Sequence, residues 1–81
     1  MSLDKRILEL IAVGASVAAN CQPCLQYNVD KAREFGADPQ EIAEAIEVGK
    51  RVRQGAATKL DKLALSLIDP TALPGPCGCD S

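Results

Sequence analysis

The clearest helix signal in this 81-residue sequence is residues 38–52, DPQEIAEAIEVGKRV. Asp38 is a favoured helix N-cap residue, Pro39 suits the first helical position, and Glu41 completes a capping box. Small or apolar residues then recur at helical spacing: Ile42, Ala45, Ile46, Gly49 and Val52. This pattern predicts an amphipathic helix that turns one face toward a core.

Two helices are predicted on the N-terminal side of this segment. The first begins after Ser2 as N-cap and becomes apolar on nearly all faces over residues 10–19. Because a helix that is apolar all round must be buried on more than one side, we expect a neighbouring subunit to cover part of it. The second has Asn20 as N-cap, Pro23 in its first turn and Gly36 as a left-handed C-cap.

A fourth helix and a tail are predicted on the C-terminal side. Gly55 interrupts the periodic pattern and either breaks or only bends the third helix, and a new apolar stripe ends at Ile68. The basic residues before Gly55 are interpreted as cations near the negative end of the third helix: Lys50, Arg51 and Arg53. The expected fold is an all-α domain of about four helices, residues 1–68, with an extended Pro/Gly/Cys tail, residues 69–81.

Composition excludes several classes of protein. Nine basic residues face 11 acidic ones, so the net charge of −2 argues against binding to nucleic acid. The apolar run over residues 10–19 is shorter than the ~20 residues of a membrane span. Asp4 and Glu9 lie where a secretory signal would be apolar. We therefore expect a cytoplasmic protein with neither a membrane nor a nucleic acid as partner.

Four cysteines and no histidine narrow the chemistry further. Imidazole acid–base catalysis and zinc sites of the Cys/His type are absent from the chain. Cys21 and Cys24 share one helical face at the predicted start of the second helix, where free amides and the helix dipole favour a thiolate. Such a pair is typical of a dithiol redox centre, of half a metal site, or of two small residues in packing; a reducing compartment favours the first.

A second cysteine pair, Cys77 and Cys79, lies in the tail. It could reduce a Cys21–Cys24 disulfide by thiol exchange. It could also join the first pair in a four-cysteine metal site or bind a thiophilic ion alone. A chain end whose cysteines have no specific role is the remaining interpretation.

Residues 9–67 resemble the core of the alkylhydroperoxidase AhpD-like proteins, in the carboxymuconolactone decarboxylase superfamily. The resemblance rests on Glu9 and on three segments: ANCQPCL (19–25), EIAEAI (41–46) and VRQGAA (52–57). It implies a homotrimer or homohexamer that reduces peroxides or disulfides through its cysteine pair. It also implies an external dithiol reductant or redox partner protein, and no cofactor.

The resemblance assigns roles to four residues. Cys24 takes the place of the peroxide-reducing cysteine, Cys21 that of its disulfide partner, and Glu9 that of the proton-relay glutamate. The relay histidine is replaced by Asn28, which can donate a hydrogen bond but cannot carry a proton. Tyr27 is an alternative proton donor. Dithiol–disulfide exchange is therefore better supported than peroxide reduction, because exchange needs only the two sulfurs and a reductant.

Three hypotheses of function follow. The first is a thiol-dependent oxidoreductase in which Cys21, Cys24, Glu9 and Asn28 form the catalytic site. The second is a metal- or metalloid-binding module with four sulfur ligands, namely Cys21, Cys24, Cys77 and Cys79. The third is a noncatalytic oligomeric scaffold that keeps the AhpD-like fold.

Overall fold

The computed structural model describes residues 2–68, and within that range the chain forms three α-helices and no strand. They are α1 (Lys5–Ala18), α2 (Gln22–Glu34) and α3 (Pro39–Ile68). The prediction of an all-α fold is confirmed. The predicted tail, with Cys77 and Cys79, lies outside the described residues.

The predicted number of helices is wrong, because the expected third and fourth helices form the single 30-residue helix α3. A glycine inside a helix costs only about 1 kcal/mol relative to alanine, and no proline follows Gly55 within the helix. Across Gly55, the Thr58 hydroxyl donates a hydrogen bond to the Gln54 carbonyl oxygen at 2.9 Å. The basic residues of 50–53 therefore lie in mid-helix, and their interpretation as C-terminal cations is also wrong.

Two predicted N-caps also differ from the structure. Asp4 rather than Ser2 caps α1, and its Oδ1 accepts a hydrogen bond from the Ile7 amide at 2.9 Å. A carboxylate at this position gains from the positive end of the helix dipole. Cys21 rather than Asn20 is the N-cap of α2, because Asn20 takes a left-handed conformation with φ 56°.

The turn and cap between α2 and α3 form as predicted. Gly36 follows the C-cap of α2 with φ 95°, a conformation that glycine adopts without strain. The Glu41 amide donates to Asp38 Oδ1 at 2.9 Å, and the Asp38 amide donates to Glu41 Oε1 at 3.1 Å. The second carboxylate oxygen of Glu41 accepts a hydrogen bond from Arg6. The capping box thus also ties α1 to the start of α3.

The small core lies where α1 packs against both other helices. Its buried apolar residues come from α1, α2, the α2–α3 turn and α3: Val13, Ala32, Ala37 and Ile42. Farther along, α1 and α3 approach so closely that a Cβ on Gly49 would lie 2.8 Å from the Cβ of Val17, and closer still to the Gly14 carbonyl oxygen. This close approach brings the middle of α3 beside the turn between α1 and α2.

The flank of the α1–α3 pair away from α2 is open and apolar. Ile11 is 56% exposed, Val48 50% and Val52 59%, along a groove of about 740 Å³. The far half of α3 carries further exposed apolar side chains: Leu60, Leu63, Leu65, Leu67 and Ile68. Of the helices in residues 2–68, none combines the length and the apolar character needed to cross a membrane.

Candidate active site

The candidate site is built on the first turn of α2. Cys21 is the N-cap, in an extended conformation with φ −99°, and Cys24 is the third residue of the helix. Their Cα atoms are 5.2 Å apart and their sulfurs form a disulfide. Cys24 is exposed and Cys21 is half-buried. Because the N-cap side chain accepts no hydrogen bond from the helix amides, those amides are available to stabilise a thiolate after reduction.

The turn before Cys21 is held from two sides. The Cys21 amide donates to the Ser16 carbonyl oxygen at 3.0 Å, which ties the turn to α1. Asn20 Oδ1 accepts a hydrogen bond from Arg53 Nη1 at 3.2 Å, which ties the turn to α3. The second link joins residues 33 positions apart in the sequence, and the sequence interpretation, which treated Arg53 as a cation at a helix end, did not predict it.

Asn28 lies one turn after Cys24, in the position where the resemblance expects a histidine. Its Nδ2 donates to Ser16 Oγ at 3.0 Å, and Ser16 Oγ in turn donates to the Ala12 carbonyl oxygen at 2.7 Å. This chain of hydrogen bonds ends on the backbone and contains no titratable group. Ser16 is buried and is not among the site residues predicted from the sequence; its one sequence signal is that it is the only polar residue among residues 10–19.

Glu9 lies in a separate cavity between α1 and α2. This cavity has a volume of about 310 Å³ and is lined by Lys5, Leu8, Glu9, Tyr27, Lys31 and Phe35, so neither Cys21 nor Cys24 borders it. Glu9 Oε2 is buried and has no hydrogen-bond partner among the residues that the structure describes. The hydrogen bond and charge of Glu34 raise the pKa of Lys31, and the charges of Tyr27 and Glu9 add to this effect.

Cys21 borders a different cavity, which we call the Cys21 cavity. It also has a volume of about 310 Å³, and all three helices contribute to its walls. Val17, Leu25 and Ile46 give it an apolar lining, whereas Lys50 and Arg53 bring two positive charges. The structure therefore unites the two cysteines, places Asn28 next to them on α2, and puts Glu9 and Tyr27 in the other cavity.

The structure does not test the four-cysteine metal site. Within residues 2–68 no group of three or more His, Cys, Asp or Glu side chains is arranged to hold a metal ion. The other two proposed ligands, Cys77 and Cys79, lie beyond that range. The metal-binding alternative therefore stays a prediction.

Comparison with known proteins agrees with the resemblance seen in the sequence. A protein of Paracoccus denitrificans named "Uncharacterized protein 4 in cox locus" is 40% identical over 68 residues, which cover 84% of this chain and 61% of that protein. The chain thus spans less than two thirds of the length of this curated relative. No solved structure gives a significant match. The model of the carboxymuconolactone decarboxylase family matches residues 1–65, four fifths of the chain, and the chain belongs to this family, which includes the AhpD-like proteins.

Proposed function

We propose that the chain is a thiol-dependent oxidoreductase that exchanges the Cys21–Cys24 dithiol for a disulfide. The observation that carries the proposal is the disulfide between the N-cap and the third residue of α2, with one sulfur on the exposed side. A cysteine at a helix N-terminus has a stabilised thiolate, and the thiolate is both the nucleophile and the leaving group in disulfide exchange.

The exposure of the two cysteines supports different roles. Cys24 is exposed, so its thiolate attacks one sulfur of an oxidised substrate and releases the other sulfur as a thiolate. Cys21, half-buried beside it, then attacks Cys24 Sγ in the mixed disulfide, releases the second substrate thiolate, and closes the protein disulfide. An external dithiol reductant or redox partner protein reduces the pair again, and no cofactor takes part.

Peroxide is the less favoured oxidised substrate. When a thiolate attacks a peroxide, the departing oxygen needs a proton. Asn28 is hydrogen-bonded to Ser16 and has no proton to give at neutral pH. Glu9 stays the proposed proton-relay residue for this reaction, although neither cysteine borders its cavity, and Asn28 keeps a positioning role next to Cys24.

We also propose that copies of this chain associate through the open flank of α1 and α3. Monomeric proteins seldom expose continuous apolar patches of this kind, and the patch follows the groove lined by Ile11, Val48 and Val52. A charge at Val52, as in Val52→Lys, should therefore lower the mass measured by light scattering after gel filtration. A control lysine at Ala43, on an exposed part of α3 outside the groove, should leave the mass unchanged.

Turnover of a neutral disulfide by cysteine variants tests the oxidoreductase. Cys24→Ser should lower the rate at least about a hundredfold, since it removes the attacking sulfur. Cys21→Ser should trap a mixed disulfide on Cys24. A matched control, the double variant Cys77→Ser/Cys79→Ser, should keep turnover if the tail is not required. Unchanged turnover in Cys24→Ser would refute the proposal. A stoichiometric metal ion that is present in the wild type and lost in these cysteine variants would favour the metal-binding module.

A further inference from the structure

Arg53 is an uncompensated cation beside the disulfide. Its Nη1 donates to two neutral acceptors, Asn20 Oδ1 at 3.2 Å and the Val17 carbonyl oxygen at 3.5 Å. Within residues 2–68 no carboxylate lies at ion-pair distance from it, whereas four of the eight other basic residues, Arg6, Lys31, Arg33 and Lys50, each have an acidic partner. The guanidinium is thus held to the turn that carries Cys21 without its charge being neutralised.

The Cys21 cavity adds a second cation and an apolar lining. Lys50, one turn before Arg53 on α3, borders the same cavity, and its exposed pair with Glu47 is long, at 3.4 Å. Exposed ion pairs of this kind contribute little free energy, so the Lys50 ammonium group still attracts a bound anion. Val17, Leu25 and Ile46 offer contact to a short aliphatic chain. A cavity of about 310 Å³ is at the lower end of the size range for small-molecule sites.

We infer that the Cys21 cavity receives the reductant of the disulfide, and that this reductant is a thiol bearing an anionic group. The inference rests on the proposed function and names the chemical class of its reductant. The anionic group lies against Arg53 and Lys50, and the aliphatic stem lies on the apolar lining. This placement directs the reductant's sulfur to Cys21, the cysteine that borders the cavity.

Reduction of the Cys21–Cys24 disulfide needs no reactant other than this thiol. The reductant thiolate attacks Cys21 Sγ, the Cys21–Cys24 bond breaks, and Cys24 leaves as a thiolate at the N-terminus of α2. A second reductant thiolate, or a second thiol of the same molecule, then attacks the reductant's own sulfur in the mixed disulfide. Cys21 leaves as a thiolate, the reductant becomes a disulfide, and both protein thiolates take up protons from water.

Three small thiols of similar size test the inference: 3-mercaptopropionate, 2-mercaptoethanol and cysteamine, which are anionic, neutral and cationic. The rate of reduction of the full-length oxidised protein is measured by quenching and thiol counting, and is expressed per thiolate. The anionic thiol should react about three- to fivefold faster than the neutral one at low salt, as expected for a partly exposed ion pair. Cysteamine should be the slowest, and the preference should shrink as salt is added.

Three variants at two arginines separate a local effect from a general charge effect. Arg53→Gln should reduce the anionic-to-neutral rate ratio to near one, whereas Arg53→Lys should keep most of it. Arg51→Gln removes the same charge from an exposed residue that does not border the cavity, and it should leave the ratio unchanged. The inference would be overturned if the wild type reacted equally fast with the anionic and the neutral thiol. It would also be overturned if Arg51→Gln lowered the anionic-to-neutral rate ratio as much as Arg53→Gln, or if Arg53→Lys lowered it as much as Arg53→Gln. If none of the three thiols reduces the disulfide, the proposed function itself fails.

Discussion

Two cavities of about 310 Å³ border α2, and they differ in which helices build them and in what chemistry they hold. The Cys21 cavity has walls from all three helices and contains a sulfur and two cations. The other cavity, which we call the Glu9 cavity, lies between α1 and α2 and contains a carboxylate and a phenol. Cys21 and the two groups considered for proton transfer, Glu9 and Tyr27, thus lie in separate cavities.

The difference is the reason that we propose disulfide exchange rather than peroxide reduction. Asn28 lies next to the cysteines on α2, and its hydrogen bonds lead to Ser16 and the α1 backbone rather than to Glu9. The proposed exchange between sulfurs needs no proton donor beyond solvent, so it does not require the Glu9 cavity. The cations of that cavity come from α3, which makes it dependent on the close packing of α3 against α1.

The largest expected effect comes from disturbing that packing. Gly49→Ala would place a methyl group against Val17 and the Gly14 backbone, so we expect a loss of about 2 kcal/mol in unfolding free energy, as overpacked cores show. The anionic preference in disulfide reduction should fall as α3 shifts. Gly14→Ala, whose Cβ would meet the Ala45 carbonyl oxygen at 3.1 Å, should lose less. Urea unfolding curves measure both, and a Gly49→Ala protein as stable as wild type would contradict the described packing.

The next effect concerns the separation of the cavities. Glu9→Gln should lower the rate of peroxide reduction relative to disulfide exchange at least about tenfold, because general acid catalysis contributes this much or more. Both rates are measured on the same preparation, and Glu44→Gln, which changes an exposed carboxylate on α3 outside the Cys21 cavity, is the control. If Glu9→Gln slows neither reaction, Glu9 takes no part in proton transfer. If it slows both equally, Glu9 also serves disulfide exchange, and its assignment to peroxide reduction alone is wrong.

A smaller effect is expected at Asn28. Asn28→Ala breaks the hydrogen bond to Ser16 and should lower the unfolding free energy by about 1 kcal/mol, the usual net value for one such bond. The pH profile of disulfide exchange should keep its shape, since Asn28 carries no proton. Gln26→Ala, at an exposed position on the same helix, is the matched control for stability. A changed pH profile in Asn28→Ala would show that proton transfer does pass through this residue.

The smallest expected effect is a pH dependence of stability, which arises from the Lys31–Glu34 pair at the edge of the Glu9 cavity. Glu34 raises the pKa of Lys31 above its ordinary value of 10.5, so the stabilisation is fully present below that pH. It is lost as the pH rises through the higher pKa of the folded state. Lys31→Met should therefore show a slightly weaker loss of stability than wild type above pH 10.5, in thermal unfolding followed by circular dichroism. Lys62→Met, on the exposed far half of α3, is the control, and equal alkaline slopes in all three proteins would argue against this pair.

Features set by neighbouring residues were predictable from the sequence, and features set by distant contacts were not. The capping box of Asp38 and Glu41 and the left-handed Gly36 each depend on a few consecutive residues. Gly55 gave an ambiguous signal, because a glycine weakens a helix without ending it. The cysteine pair was readable as a local motif.

Arg53 shows the limit most clearly. It is 33 residues from Asn20 along the chain, and the two meet because α3 packs closely against α1 at Gly49. The same holds for Ser16 and Asn28, which are 12 residues apart on different helices. No periodic pattern in the sequence reports contacts of this kind.

The most direct test of the central claim maps the first disulfide that forms in the reduced protein. The full-length dithiol protein is exposed to less than one equivalent of a neutral disulfide, free thiols are trapped with an alkylating reagent, and peptides are identified by mass spectrometry. We predict that Cys21 and Cys24 are the first pair protected from alkylation, joined to each other. Protection of Cys77 and Cys79 first, with Cys21 and Cys24 still alkylated, would contradict a redox centre at the start of α2.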